Sequence, residues 1–326
     1  MVSRRHFTLA MPAASMAMLA KPRPAGAQPA FPSRPIRIVV ANAPGGTDDL
    51  ISRRVADKMA GELRQPVVVE NRGGGTTTIG AYSVVRSAPD GYTIFCMTSS
   101  AVVQTVLRKN LPYRLADFTP LVGAGGFPMA LTLSARTNVH SVDDLRKLAQ
   151  AGDGVTFASG GVGTMAHLTA TRFLSELQGK GTHVSYRNNP EGLQALSGGY
   201  TQMMFPSVSE VVGLRKEGYV RVLAVTSPTR TSNLPDIPTM QELGFAGINT
   251  ALWHGFMAPA GLPEPVTAFL SHAISQALRD QAFLEHFTPL GFQADIRSGD
   301  VLQQYLNGEA ARWGKVISDN NIQVTD

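Results

Sequence analysis

The sequence predicts an α/β protein made of two similarly built halves, each a parallel sheet with helices packed against it. Three observations carry this prediction. The chain has 326 residues, 43% of them hydrophobic and 16% charged, which suits about two cores of ordinary size. β-branched runs alternate with stretches of helical periodicity, the pattern of a parallel sheet. That pattern occurs twice, each time opening with a strand, a glycine turn and a helix.

The first half opens on the β-branched run 36–41. After Asn42-Ala43-Pro44-Gly45-Gly46 comes a helix whose apolar residues Ile51, Val55, Met59 and Leu63 recur every four positions. Residues 67–69 and 93–97 read as further buried strands. A loop over 71–78 and a short helix from about 80 to 87 lie between them.

The second half starts at the strand 131–133. Ser141-Val142-Asp143-Asp144 predicts a capping box at a short helix. Residues 155–158 form the next strand and Gly160-Gly161-Val162-Gly163-Thr164 a glycine turn. The following helix sets Ala166, Ala170, Phe173 and Leu177 on one face. Strands are predicted at 184–186, 203–205 and 220–226, and a helix capped by Thr239-Met240-Gln241-Glu242 and ended by Gly244. No short period recurs, so the chain is not a solenoid.

The C-terminal part is helical. Val266, Phe269, Leu270, Ala273, Ile274, Ala277 and Leu278 make one wide apolar stripe, with Pro265 in its first turn. Leu302, Leu306, Trp313 and Ile317 make another. With no linker before them, both helices are expected to pack back on the first half.

Charge and leader restrict the function. The formal net charge is +5, but Arg4, Arg5, Lys21 and Arg23 supply four of the basic residues. Without them 25 basic residues face 24 acidic ones, which leaves no electrostatic footprint for nucleic acid. Arg4-Arg5, the uncharged run 8–20 and Ala25-Gly26-Ala27 read as a secretory signal of twin-arginine type over 1–27. The mature protein then begins at Gln28 in the periplasm. No run is long enough to span a bilayer. The one cysteine, Cys96, allows neither an internal disulfide nor a cysteine-clustered metal site.

Candidate chemistry comes down to glycine turns. Gly161-Val162-Gly163-Thr164-Met165-Ala166 matches the loose dinucleotide fingerprint, so an exported nucleotide-cofactor oxidoreductase is the competing reading. The next strand, however, does not end in the acid that would hold a ribose. There is no G-x-S-x-G elbow, and the seven histidines show no ligand spacing, so neither a metal nor a cofactor is expected. His167, in the first turn of its helix, faces either a cleft or solvent, and Arg187 reads as a solvated turn residue. What remains is Pro44-Gly45-Gly46-Thr47 and 159–164, each leading from a strand end into a helix N-terminus. Glycine admits a ligand to the backbone, and the first helical amides have no intrahelical partner and carry positive potential. A small dianion held between two such turns fits that arrangement.

These turns and their neighbours resemble the Bug-type periplasmic solute-binding receptors of tripartite tricarboxylate transporters. The resemblance rests on Pro35-Ile-Arg-Ile-Val-Val40, Pro44-Gly45-Gly46 with Asp49 and Arg53, and Val69-Glu70-Asn71-Arg72. It continues through Ala88-Pro89-Asp90-Gly91-Tyr92-Thr93, Asp117-Phe118-Thr119-Pro120 and Ser159 to Thr164 with His167-Leu168. Leu223-Ala-Val-Thr-Ser227, Arg230, Leu234 to Thr239, Glu242 to Gly244, Trp253-His254-Gly255 and Ala258 to Gly261 complete it.

The resemblance implies a two-lobed periplasmic-binding-protein fold, type II-like, with parallel-sheet lobes joined by crossover strands. Lobe 1 would comprise 28–130 and 252–326, and lobe 2 would comprise 131–251. The hinge would include segments near 129–134 and 251–259. The ligand implied is a small carboxylate gripped by Asn42, Gly45, Gly46, Thr47, Thr98, Ser99, Ser159, Gly163, Thr164, His167 and Tyr186. The partners implied are permease subunits of a tripartite transporter or a sensor protein, with the receptor a monomer and not an enzyme. The sequence departs from the family at several places: Asn42 stands where an aromatic residue is usual, Thr78 where Asn is common, Ser185 for Pro, Asn188 for Gly and Arg114 for Asp. Asn42 lies near the expected pocket and opens it to a more polar or differently shaped acid than a dicarboxylate.

Overall fold

A computed structural model describes residues 31–324. The leader expected over 1–27 lies outside the described residues. The chain builds two sheets in succession. The first part runs β1 (Ile36–Val40), α1 (Thr47–Leu63), β2 (Val67–Asn71), α2 (Thr78–Val85), β3 (Thr93–Thr98), α3 (Ser99–Leu107) and β4 (Phe118–Pro128). Next come β5 (Ala130–Ser134), α4 (Val142–Gln150), β6 (Val155–Ser159), α5 (Met165–Glu176), β7 (Gly181–Ser185), α6 (Asn189–Gly198), β8 (Met203–Met204), α7 (Val208–Lys216) and β9 (Val220–Val225). The chain then returns through β10 (Ala251–Pro259), α8 (Glu264–Arg279), α9 (Gln281–Phe287), β11 (Gln293–Ser298) and α10 (Gly299–Asp319).

The first sheet has the order β11-β4-β10-β3-β1-β2 and the second β7-β6-β8-β5-β9. In each, the glycine turn follows a strand with parallel neighbours on both sides: β1 between β2 and β3, and β6 between β7 and β8. Turns at the carboxyl ends of such strands face the crevice of an α/β sheet. The parallel strands are extended by antiparallel ones, β10, β4 and β11 in the first sheet and β5 and β9 in the second.

One segment given no element in advance and one expected helix are instructive. Residues 118–128 carry Gly123, Gly125 and Gly126, a poor strand composition, yet they form the long β4. The reason is tertiary: a Cβ at Gly125, whose φ is +112, would lie 2.1 Å from the Gln293 carbonyl, and one at Gly126 would lie 2.6 Å from that of Leu252. Glycine lets β10 and β11 close on both edges of β4. Conversely, no helix forms at 239–244. Thr239 and Glu242 do exchange cap hydrogen bonds, at 2.6 and 3.1 Å, but Gly244 at φ +88 ends the segment after one turn.

The chain crosses between sheets at Met129 and near Thr250. One buried hydroxyl ties both places: Thr226 Oγ1 accepts from the Met129 amide at 2.8 Å and lies 2.5 Å from the Thr250 carbonyl. The helix α10 links the cores. Its Leu302 and Leu306 pack with β1 and β3 residues of the first sheet, while Trp313, Val316 and Ile317 join a cluster containing Phe157 and Phe173 of the second part. Among the described residues no helix is long and apolar enough to cross a membrane.

Candidate functional site

The loop after β1 is held from behind. Gly45 has φ +88, a conformation that favours glycine, and its amide donates to Asp49 Oδ2 at 2.9 Å. Arg53 grips the same carboxylate at 2.9–3.0 Å and reaches Asn71 Oδ1 at 3.1 Å. Asn71 in turn donates to the Asn42 carbonyl. Burial alone would raise the Asp49 pKa, but the bonds from Arg53, Gly45 and Asn71 outweigh it and hold the carboxyl below its ordinary range. Asp49, Arg53 and Asn71 therefore fix the shape of the loop.

In front of this frame lies a cavity of about 120 Å³. Asn42, Thr47, Thr98 and Ser99, all anticipated from the sequence, line it together with Asp48, Trp253 and His254, which were not. Asn42 Nδ2 donates to Asp48 Oδ2 at 2.7 Å, and Thr47 Oγ1 lies 3.2 Å from His254 Nε2. Ser99 Oγ accepts from the Trp253 amide at 2.7 Å, fixing β10 to the start of α3. Gly46 is the N-cap of α1; a Cβ there would stand 2.9 Å from Asp48 Oδ1. The Gly46 amide has no hydrogen-bond partner among the described residues. His254 is 3% exposed, and burial pushes its pKa down to about 4 against the pull of Asp48 and the Leu252 carbonyl. A larger hollow of about 510 Å³ around Arg136, Lys147 and Gly199 lies away from both glycine turns.

The loop after β6 is built around two histidines. His167 and His183 stack with ring centroids 4.0 Å apart, and Phe157 lies 5.1 Å from His183. The Gly163 amide donates to His167 Nδ1 at 3.1 Å. Ser159 Oγ accepts from the Gly161 amide and lies 2.7 Å from His183 Nε2. Thr164 caps α5 by accepting from the His167 amide, and its hydroxyl donates to the Gly161 carbonyl at 2.8 Å. Tyr186, half-buried, donates its amide to the Ser159 carbonyl. Burial lowers the His167 pKa to about 4, with repulsion from His183 adding to it, and burial lowers that of His183. His167 is thus not solvated; 6% exposed, it supports the turn from within.

The anticipated residues fall into two groups, and α3 joins them. Its first residues line the cavity. At its other end Leu107 meets the second turn, where a Cβ at Gly163 would be 2.3 Å from Leu107 Cδ2. Three turn amides, those of Gly45, Gly161 and Gly163, are bonded to the protein's own side chains. Arg187 is exposed and pairs with Glu191. Sequence reasoning missed His183 because its partner is set by strand register, Phe157 opposite His183. Trp253 and His254 stood in a recognised motif that suggested no role.

Residues 51–322 match the profile of the tripartite tricarboxylate transporter family receptor. The chain belongs to this family. The receptor is 30% identical over 298 residues to protein BugT of Bordetella pertussis, covering 90% of this chain and 91% of that one. Among solved structures it is similar to the periplasmic binding protein BugD, with a TM-score of 0.75 at 29% identity over 90% of this chain and 99% of that one. It is also similar to MatC from Rhodopseudomonas palustris with bound malate, TM-score 0.73 at 28% identity over 88% and 100% of the two chains. A further R. palustris structure, with adipate, gives a TM-score of 0.78 at 27% identity over 90% and 99%. The receptor thus has the two-lobed α/β fold of periplasmic binding proteins, and its family is one of solute-binding receptors.

Proposed function

We propose that this receptor works in the periplasm, after removal of residues 1–27, and binds one small carboxylate between a lobe of 28–130 with 252–326 and a lobe of 131–251. It hands the ligand to the membrane subunits of a tripartite transporter or presents it to a sensor, acts as a monomer and performs no covalent chemistry. The lobes hinge near the crossings at 129–134 and 251–259. One observation carries this reading: two strand–glycine–helix turns, one per sheet, stand at the two ends of α3, and relatives of the same fold hold malate and adipate. The grip comes from the free amides at the α1 and α5 N-termini, Gly46 and Thr47 foremost, and from the hydroxyls of Thr98, Ser99, Ser159 and Thr164, with Tyr186 and Asn42 at the margins.

A panel of mono-, di- and tricarboxylates, beginning with malate and adipate, tests the reading by thermal unfolding. At 100 times its Kd an acid that fits stabilises the fold by about 2.7 kcal/mol, and its neutral methyl ester does not, because the ester lacks the charge that helix N-termini favour. A panel without any shift, beside a clear shift with a sugar, would overturn the reading.

A further inference from the structure

We propose that the hollow at the far end of the second sheet is a binding site for a phosphoryl group carried on a small organic body. The inference is independent of the carboxylate reading, because the hollow and the glycine turn lie at opposite ends of that sheet. Strand β5 leaves the crossing at Met129 and runs antiparallel to β8, which is parallel to β6. The end of β5 at Ser134 and the start of β6 at Val155 therefore share one end of the sheet, and the turn at 159–164 leaves the other. The hollow of about 510 Å³ opens beside Ser134, with Arg136, Asp144, Lys147, Gly199 and Gln202 in its lining.

That lining carries unpaired positive charge and N–H donors. Neither the Arg136 guanidinium nor the Lys147 ammonium makes a hydrogen bond or ion pair with a described group. Arg146, on the same helix as Lys147, shows the contrast by pairing with Asp143 at 2.9 Å. Arg136 is also held in place. A Cβ at Gly199, whose φ is +79, would lie 2.8 Å from Arg136 Cδ and 3.3 Å from its Cβ, so the arginine stem lies across that backbone. Gln202 is oriented by its partner: Oε1 accepts from the Thr156 amide at 2.8 Å and lies 3.2 Å from Thr156 Oγ1. A backbone amide can only donate, so the carboxamide oxygen is fixed there and the NH2 group, without a partner among the described residues, is left for a ligand.

The one acid among the lining residues is committed to its own helix. Asp144 Oδ2 accepts from the His140 and Ser141 amides, both at 3.1 Å, in the capping box of α4. Lys147 acts on this carboxylate as well, yet two cations against one capped acid leave the hollow net positive. A cation in the last turn of a helix also complements its dipole. That accounts for Lys147, but not for Arg136 and Gln202, which come from other elements. A guanidinium fork, an ammonium and a carboxamide NH2 match the several acceptor oxygens of a phosphoryl group. Bare phosphate is much smaller than the hollow. Tyr200, between Gly199 and Gln202 in the chain, is 82% exposed and offers its ring to the rest of the ligand.

The test is amide NMR of the protein of residues 28–326, titrated with glycerol 3-phosphate and, as the uncharged counterpart, glycerol. The Gly199 backbone amide and the Gln202 side-chain amide should shift with the phosphate ester, with a Kd of about 1 mM or tighter, and stay still with glycerol. In the double variant Arg136→Gln/Lys147→Gln, which changes two exposed side chains, the Kd should rise at least about tenfold. Sedimentation with vesicles of phosphatidylglycerol against vesicles of phosphatidylcholine separates the two sources of such a group. A preference for phosphatidylglycerol that the double variant loses would assign the site to a lipid headgroup, and ester binding without that preference would assign it to a soluble phosphate ester. Shifts confined to residues 45–47 and 159–164, shifts unchanged in the double variant, or no response to either probe would overturn the site and leave the receptor reading standing.

Discussion

Gly163→Val should lower the unfolding free energy by about 2–5 kcal/mol and remove the stabilisation that a bound acid confers. Two costs combine. Gly163 has φ +78, which a β-branched residue rarely adopts, and the added Cβ would overlap Leu107 Cδ2 at 2.3 Å. Leu107 is itself buried among Val103, Phe157 and Trp313, so it has little room to retreat. The contact joins the second turn to α3, whose other end lines the first cavity, so the strain reaches both halves of the site. Urea unfolding measures the loss. Gly213→Ala, where a Cβ meets nothing within 4 Å on an α7 position, serves as the control and should be neutral or slightly stabilising. Equal stability of Gly163→Val and the parent would mean that the turn does not rest on α3.

Acidification from pH 7 to pH 4 should destabilise the fold well before its carboxylates titrate. The pKa values of His167, His183 and His254 are all depressed in the folded chain, chiefly by burial, two of them to about 4. In the unfolded chain each takes up a proton near pH 6.5. The stability these groups contribute is therefore complete above pH 6.5 and is lost as pH falls toward 4. While the unfolded state is protonated and the folded state is not, each costs up to about 1.4 kcal/mol per pH unit. Urea midpoints at pH 7, 6, 5 and 4 measure the slope, and His167→Asn should make it shallower. A flat profile down to pH 4 would show that these rings are protonated in the folded protein without penalty.

Much of this architecture was legible in the sequence because its signals are local. The period of Ile51, Val55 and Met59, the capping box at Ser141 and Asp144, and the two glycine turns each depend on neighbours a few positions away, and each recurs in the structure. What escaped depends on distant partners. Glycine-rich β4 is a strand only because β10 and β11 close on it, and α3 carries no signal that assigned it an element in advance. The site divides in the same way. Asn42, Thr47, Thr98 and Ser99 could be placed from turn position and family resemblance. The His167–His183 stack, the Thr47–His254 contact and the exposure of Asp48 to a cavity arise only when β7 and β10 reach their places.

The central claim is that one small acid occupies the space between the lobes. Native mass spectrometry of the protein isolated from the periplasm tests it most directly. The account predicts a single adduct of small-molecule mass per chain, released on denaturation and identified as a carboxylic acid. A released nucleotide cofactor or a sugar in its place would contradict it.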